Sequence, residues 1–219
     1  MYKMDSHIHS EYSPDSSSKI EDILTVAERE NIDIIAISDH NTSDALGEVR
    51  AKTKNTDILA IPSIEISSSL GHILGFGCEE SVPQGLTPQE TIDMIHDLGG
   101  LAIIPHPYCF YRHGLLCKID YNELKIDAIE TKNARFIIGY CNNKAKKLAK
   151  RENIPTLGAS DAHYWEFVGD CYSLIDCEMD IDSVLKSIKK GKVEAHGKGT
   201  NNILLSKYLF ERKVLKKFD

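Results

Sequence analysis

The amino-acid sequence predicts a single α/β domain in which mostly parallel strands close into a barrel. Apolar runs of strand length alternate with helical patterns about seven times, which is typical of parallel strands joined by right-handed crossovers. An open, doubly wound sheet fits the same alternation, but it usually gathers its polar site at one switch point. Here polar side chains follow nearly every strand, as they do at a barrel rim. The 219 residues, 42% of them hydrophobic, suffice for one such core.

Four strands and two helices are predicted in the first part of the chain. Residues 2–6 form a short strand, and the polar residues 10–17 form a loop. A capping box of Ser18 and Glu21 starts the first helix, whose apolar side chains recur at helical spacing. The nearly unbroken apolar run at 33–38 is typical of a strand buried on both faces. A weaker helix at 42–54 and strands at 58–64 and 72–76 follow.

The second part of the chain continues the alternation. Thr87, Pro88 and Glu90 begin a helix with a cap, a first-turn proline and an acidic third position, and a pair of glycines ends it. Residues 108–123 lack a clean period and are predicted to form a long loop on the side of the polar strand ends. The other expected elements are strands at 101–105, 126–130 and 154–159, an edge strand at 168–176, and helices at 138–152, 181–190 and 204–217, the last packing on the barrel.

Composition excludes several classes of protein. A net charge of −7 argues against a surface that is basic throughout, as in many nucleic-acid binders. No apolar run approaches the ~20 residues of a membrane span, and the N-terminus lacks the apolar stretch of a signal peptide. The six cysteines are irregularly spaced and form no C-x-x-C pair, so neither a disulfide framework nor a zinc finger is expected. We therefore expect a soluble, cytoplasmic protein with no membrane partner and no obligate protein partner.

The polar strand ends carry histidines and carboxylates. Alternation along the first strand places His7 and His9 on one side of the backbone. Imidazole and carboxylate are ligands that suit manganese, iron or zinc, and clustered ions favour phosphate ester hydrolysis. His96 and His196 are expected to lie elsewhere. The candidate set comprises six of the nine histidines, namely His7, His9, His40, His72, His106 and His163, with the carboxylates of Asp15, Glu65, Asp161 and Glu130.

In its ordered motifs the sequence resembles the polymerase and histidinol phosphatase (PHP) family of metal-dependent phosphoesterases. The matching blocks begin with His7-Ile8-His9-Ser10-x-x-Ser13 and Asp15, and they cover about residues 1–199. Each block alone is a weak signal, whereas the ordered set is specific. The later blocks are Ser38-Asp39-His40-Asn41, Ile64-Glu65, His72-Ile73-Leu74-Gly75, His106-Pro107 and Ser160-Asp161-Ala162-His163.

This resemblance implies a distorted, TIM-like (β/α)7 barrel with two or three divalent ions (manganese, iron or zinc) at the C-terminal rim of the strands. Glu65 and Asp161 would be shared between ions, and Glu65, Asp161 and His163 are the candidate catalytic residues. Many family members place the loop aspartate five residues after the second histidine, whereas Asp15 follows His9 by six, which leaves a two-metal site without Asp15 open. Glu130 can instead orient a ligand histidine. The implied ligands are His7, His9, Asp15, His40, Glu65, His72, His106, Asp161 and His163.

The predicted function is hydrolysis of a phosphomonoester or a terminal phosphodiester by a metal-bound hydroxide. The substrate would be a nucleotide, an oligonucleotide or nucleic-acid end, or a small phosphorylated metabolite. Arg135, Arg112 and His113 are the candidate substrate-binding residues, with solvated surface side chains as the simpler interpretation of each. The alternatives are a histidinol-phosphate phosphatase, an amidohydrolase-type metal hydrolase and a non-catalytic, metal-binding regulatory module. Residues 72–76 lack the bridging lysine that many amidohydrolases carry on the fourth strand.

Overall fold

The computed structural model describes residues 1–135, 139–200 and 206. This part of the chain contains nine strands and five α-helices, and none of the helices is long and apolar enough to cross a membrane. The helix predicted at 204–217 lies outside the described residues apart from Ser206. In chain order the elements are β1 (Tyr2–Ile8), α1 (Ile20–Arg29), β2 (Ile34–Ile37), α2 (Leu46–Thr53), β3 (Leu59–Ser67), β4 (His72–Phe76), α3 (Pro88–Asp97), β5 (Leu101–Ile104), β6 (Ala128–Asn133), α4 (Tyr140–Glu152), β7 (Thr156–Ala159), β8 (Cys171–Ile175), α5 (Ile181–Lys189) and β9 (Val193–Gly197).

The nine strands form one sheet that nearly closes into a barrel. Their order is β7-β6-β5-β4-β3-β2-β1-β8-β9. Beyond the end of β7 the chain returns to β1, where Asp161 N donates to His7 O (2.8 Å) and His9 N donates to Ala162 O (2.8 Å). Ile8 and Ala162 pair in parallel at this point. The predicted mixed α/β, barrel-like architecture is confirmed.

The count of seven strand–helix units is not confirmed. Only four residues, 68–71, connect β3 to β4, whereas a parallel crossover needs roughly a dozen or more. As a result β4 is antiparallel to both β3 and β5. The predicted edge strand appears as β8, which runs antiparallel to β1, and β9, which was not predicted, pairs with β8.

The two predicted capping boxes differ in outcome. Thr87 and Glu90 form the box at the start of α3, each side chain bonding the other's backbone. The box predicted at Ser18 was wrong, because α1 begins after Lys19 with no side-chain cap. Ser18 O instead accepts a hydrogen bond from Glu11 N (2.9 Å), which ties this residue to the loop after β1.

The core divides into an inner layer and an outer layer. Alternate residues of β2 show the division, since Ile35 packs with the buried face of α1 while Ile34 and Ala36 face the other way. The inner cluster also contains Val184 and Ile188 of α5. An apolar interior thus underlies the polar strand ends and supports them from below.

Candidate metal centre

The first two histidines of the chain lie together at the end of β1. His7 Nε2 is 3.0 Å from His9 Nε2, and each nitrogen is 3.2 Å from Glu65 Oε2. Both imidazoles are fully buried. Strand alternation accounts for this arrangement, because side chains two residues apart project to one face. These three residues form one of the groups whose ligand atoms all lie within 4.8 Å of one another.

Glu65, near the end of β3, is at the centre of the cluster. Its Oε2 faces His7, His9 and, at 3.3 Å, His40 Nδ1, while Oε1 lies 2.8 Å from His72 Nδ1 and 3.0 Å from His106 Nε2. Burial alone would raise the pKa of Glu65, but the facing imidazoles, His7 foremost, hold it well below its ordinary value. A carboxylate with imidazoles at both oxygens is suited to bridging two ions.

A second group of possible ligands surrounds Asp15. Its Oδ2 lies 2.8 Å from His163 Nε2 and 3.6 Å from His40 Nε2. The Ser13 hydroxyl donates to Asp15 Oδ1 (3.0 Å) and so fixes the loop that carries it. Asp15, His9, His40 and His163 form a further group within 4.8 Å. The one-residue shift of the loop aspartate therefore does not turn Asp15 away from the cluster.

Asp161 faces both the histidines and two arginines. Its Oδ1 is 3.7 Å from His9 Nε2 and 3.4 Å from His163 Nδ1. Arg112 donates to Oδ2, and Arg135 Nη1 lies 3.3 Å from Oδ1. Burial favours the protonated acid, but Arg112, His7 and Arg135 hold the pKa of Asp161 well below its ordinary value.

The backbone carries strain at two of these positions. Asp161 has φ 53° and His106 has φ 31°, a region that residues other than glycine seldom adopt. Such conformations persist where the surrounding contacts hold them, and they concentrate at functional sites. At Asp161 the backbone bond to His7 provides such a contact.

The Glu130 side chain bonds two of the histidines on the side away from the other ligand atoms and so orients them. Its Oε1 accepts from His7 Nδ1 (2.8 Å), and its Oε2 accepts from His106 N (2.8 Å) and Asn133 Nδ2 (2.9 Å). The Glu130 side chain therefore holds the His7 ring with Nε2 directed into the cluster. Asn133 also donates to Asp161 Oδ2 (2.8 Å), so it links two of the buried carboxylates.

Asn133 and Ser10 support the cluster through hydrogen bonds, although the sequence analysis assigned neither residue a role. Ser10 donates through both its backbone N–H (2.7 Å) and its hydroxyl (2.6 Å) to Asp39, which ties the loop after β1 to the end of β2. Position was the signal for Asn133, which ends β6, and Ser10 also belongs to the motif that begins at His7.

The substrate-binding candidates line the same site. A cavity of about 410 Å³ opens above the cluster, and its wall includes Arg112, Arg135, His113 and Tyr111. The His113 ring stacks on His72 with centroids 5.1 Å apart. Arg135 Nη1 lies 2.8 Å from His163 Nδ1, and burial together with this guanidinium lowers the pKa of His163 to about 4.

The donor set fits divalent cations. His7 Nε2, His9 Nε2 and Glu65 Oε2 all point at one another. These three atoms bring more lone pairs together than there are protons to share between them, which is the situation that a bound cation relieves. His40 Nδ1 is buried without a hydrogen-bond partner although it lies 3.3 Å from Glu65. Burial, imidazole and carboxylate chemistry, and the outer support from Glu130 are the features of metal sites in proteins. His96, paired with Asp127, and His196, on β9, lie outside this cluster.

Comparison with known proteins finds one family model and relatives of this sequence. The family model described as PHP-associated matches residues 139–193. The uncharacterized protein MJ1587 of Methanocaldococcus jannaschii is 37% identical over 153 residues, which are 65% of this chain and 88% of that protein.

Two solved structures share the fold at low sequence identity. A two-domain Bacteroides vulgatus protein containing a predicted PHP-like metal-dependent phosphoesterase superposes with a TM-score of 0.77 at 17% identity over 90% of this chain. The lesion-specific endonuclease EndoQ of Pyrococcus furiosus superposes with a TM-score of 0.69 at 19% identity over 89% of this chain. The chain spans 65% and 57% of those two proteins.

Proposed function

Because this chain belongs to the PHP family, we propose that it is a metal-dependent phosphoesterase that hydrolyses a phosphomonoester or a terminal phosphodiester. The observation that carries the proposal is Glu65, whose two oxygens each lie within 3.3 Å of buried imidazoles. The arginines beside Asp161 complete the site with positive charge. We further propose that the protein acts in the cytoplasm.

The proposed metal ligands form three sets around Glu65. His7, His9 and Asp161 would hold one side of the site, and His72 and His106 meet the opposite oxygen of Glu65. Asp15, His40 and His163 would complete a site for two or three ions of manganese, iron or zinc. When bound, such ions supply a Lewis acid that lowers the pKa of water and offsets charge on phosphoryl oxygens.

The remaining polar side chains would bind and orient the substrate. Arg112 and Arg135 present the N–H groups that pair with phosphoryl oxygens, and Arg is suited to this because its donors form a planar fork. His113, exposed beside His72, can add a further donor. His163 and Asp161 are the candidates for assisting proton transfer, a role that each would combine with metal ligation.

We propose a nucleotide, an oligonucleotide end or a small phosphorylated metabolite as the substrate. The similarity to EndoQ, a lesion-specific endonuclease, supports a nucleic-acid substrate, and histidinol phosphate is the alternative that the family resemblance suggests. The amidohydrolase and regulatory-module interpretations are not better supported. An amidohydrolase of Chromobacterium violaceum also shares the fold (TM-score 0.66, 15% identity), but the two arginines that face the cluster here favour a phosphoester substrate.

Purified protein tests the proposal directly. With added manganese, iron or zinc we expect hydrolysis of p-nitrophenyl phosphate or a nucleoside monophosphate, and elemental analysis should find two or three ions per chain. Asp161→Asn and His9→Ala should each lose most of the activity, because each removes a ligand from the buried cluster. Exhaustive chelation should abolish turnover, and re-addition of metal should restore it.

A matched histidine variant controls for general damage. His196→Ala removes a half-exposed histidine on β9, outside the cluster, and should keep both activity and metal content. Full activity after chelation would contradict the proposal. The absence of turnover on phosphoesters with all three metals, in protein that retains its metal, would favour the regulatory module.

A further inference from the structure

Several exposed aromatic side chains follow the strand ends that carry the site, and one of them, Tyr111, lines the cavity above the cluster. Among the residues that the structure describes, the strongly exposed aromatic rings are Phe110 (78%), Tyr111 (74%), Tyr140 (70%) and, less so, Tyr12 (39%). Each follows the carboxyl end of a strand, after β5, β6 or β1. Large rings left in contact with water at one edge of a molecule are typical of binding surfaces.

The loop that carries two of these rings is firmly held. Phe110 and Tyr111 belong to a single 3-10 turn, residues Phe110–Arg112. The turn is anchored on the inner side by Arg112, which bonds Asp161 and, at 3.3 Å, Asn133 Oδ1. A ring that is fixed before the ligand arrives loses little conformational entropy on binding.

The start of α4 is tied to the same loop. The Cys141 thiol donates to Tyr108 O (3.2 Å), two residues before Phe110. Asn142 bonds both backbone groups of Asn133, with distances of 3.2 and 3.0 Å. Tyr140, the first residue of α4, is therefore held close to the turn that carries Phe110 and Tyr111. Of these exposed rings, Tyr111 lines the cavity together with Arg112 and Arg135, and Phe110 is its neighbour in the same turn.

We propose that Tyr111 and Phe110 form a stacking surface for the base of a nucleotide, either free or at the end of a strand, whose phosphate is bound by Arg112 and Arg135. The proposal rests on the phosphoesterase function above and narrows its substrate class. Tyr111, Arg112 and Arg135 line one cavity of about 410 Å³, a size within the range of small-molecule sites. Base–aromatic stacking needs only an exposed ring face, whereas a sugar phosphate without a base would gain nothing from these rings.

Paired substrates separate this role from a structural one. The test compares a nucleoside 5′-monophosphate with ribose 5-phosphate, the same sugar phosphate without a base, in steady-state hydrolysis. Tyr111→Ala and Phe110→Ala should each raise KM for the nucleotide by about fivefold or more while kcat changes little. KM for ribose 5-phosphate should stay unchanged, and Tyr111→Phe, which keeps the ring face, should resemble the unmodified protein. Met94→Ala removes an exposed apolar side chain of α3 and is the matched control.

Equilibrium binding gives a readout that does not depend on turnover. Titration calorimetry of both ligands into chelator-treated protein should show weaker nucleotide binding in the two alanine variants and no change for ribose 5-phosphate. Equal effects on both ligands, or no effect on either, would overturn the stacking surface. Failure of the unmodified protein to hydrolyse either compound would count against the proposed function alone, because the calorimetric comparison still tests the rings.

Discussion

Replacing Glu130 by glutamine tests how the His7 ring is held in its metal-binding orientation. Glu130 is fully buried, and its two oxygens have different partners. Oε2 accepts from two N–H groups, those of His106 and Asn133, whereas Oε1 accepts from His7 Nδ1. A glutamine must therefore keep its oxygen at the Oε2 position, since two donors point there, and turn its NH₂ group toward His7.

That NH₂ group changes the proton position on the imidazole. It can donate only to an unprotonated Nδ1, so the His7 proton has to move to Nε2. Nε2 is the atom that lies 3.0 Å from His9 Nε2 and 3.2 Å from Glu65 Oε2, inside the cluster. A protonated Nε2 has no lone pair for a metal ion. The variant thus removes a ligand from the site without removing a ligand residue.

The expected loss of metal affinity is about 10- to 100-fold, the usual range when a ligand histidine loses the group that accepts a hydrogen bond from its other ring nitrogen. This corresponds to roughly 1.4–2.7 kcal/mol of binding free energy. Competition with a chelator measures the affinity, and ¹⁵N chemical shifts of His7 report the tautomer. Glu194→Gln, which changes an exposed glutamate beside His196, is the matched control and should have no effect. Unaltered metal affinity in a folded Glu130→Gln protein would refute the reasoning.

Two other predictions concern packing and thiol reactivity. A Cβ at Gly158 would collide with the backbone oxygen of Tyr172, so Gly158→Ala should cost about 1–3 kcal/mol of unfolding free energy. A Cβ at Gly47 in α2 meets no atom within 4 Å, so Gly47→Ala should instead raise the unfolding free energy by up to ~1 kcal/mol. Chemical denaturation measures the unfolding free energy of both variants, and effects of the same sign would contradict the packing argument. Burial raises the pKa of the Cys78 thiol to about 11, so iodoacetamide at pH 8 should label the exposed Cys117 well before Cys78. Peptide mass spectrometry measures the order of labelling, and the reverse order would be inconsistent with the fold.

Much of the candidate site could be predicted from local patterns. Parallel strands bring their carboxyl ends to one rim, so a histidine at each strand end implies a cluster whatever the detailed geometry. His7, His9 and His106 lie together for this reason. Strand alternation also suffices for the pairing of His7 with His9. Glu65 was expected to be shared between ions, and its oxygens face imidazoles on both sides.

Loop residues were less predictable, because their direction depends on backbone conformations that no simple pattern encodes. Arg112 was equally compatible with a solvated surface charge. Its guanidinium turns inward to bond Asp161 and Asn133, and the chain takes left-handed conformations at His106 (φ 31°) and His113 (φ 54°) on either side of its turn. Asn133 was missed because an asparagine after a strand is common in turns. Only the fold reveals that its amide bridges Glu130 and Asp161.

The position of His72 follows from strand direction. In a parallel barrel the rim receives residues that follow a strand, and His72 instead begins one. Because four residues cannot form a crossover, β4 must return antiparallel to β3, and Ser67 pairs with His72. The amino end of β4 therefore reaches the rim where β3 ends, and His72 Nδ1 lies 2.8 Å from Glu65 Oε1. The same short connection that breaks the regular (β/α)7 repeat thus supplies the cluster with two groups from adjacent strands.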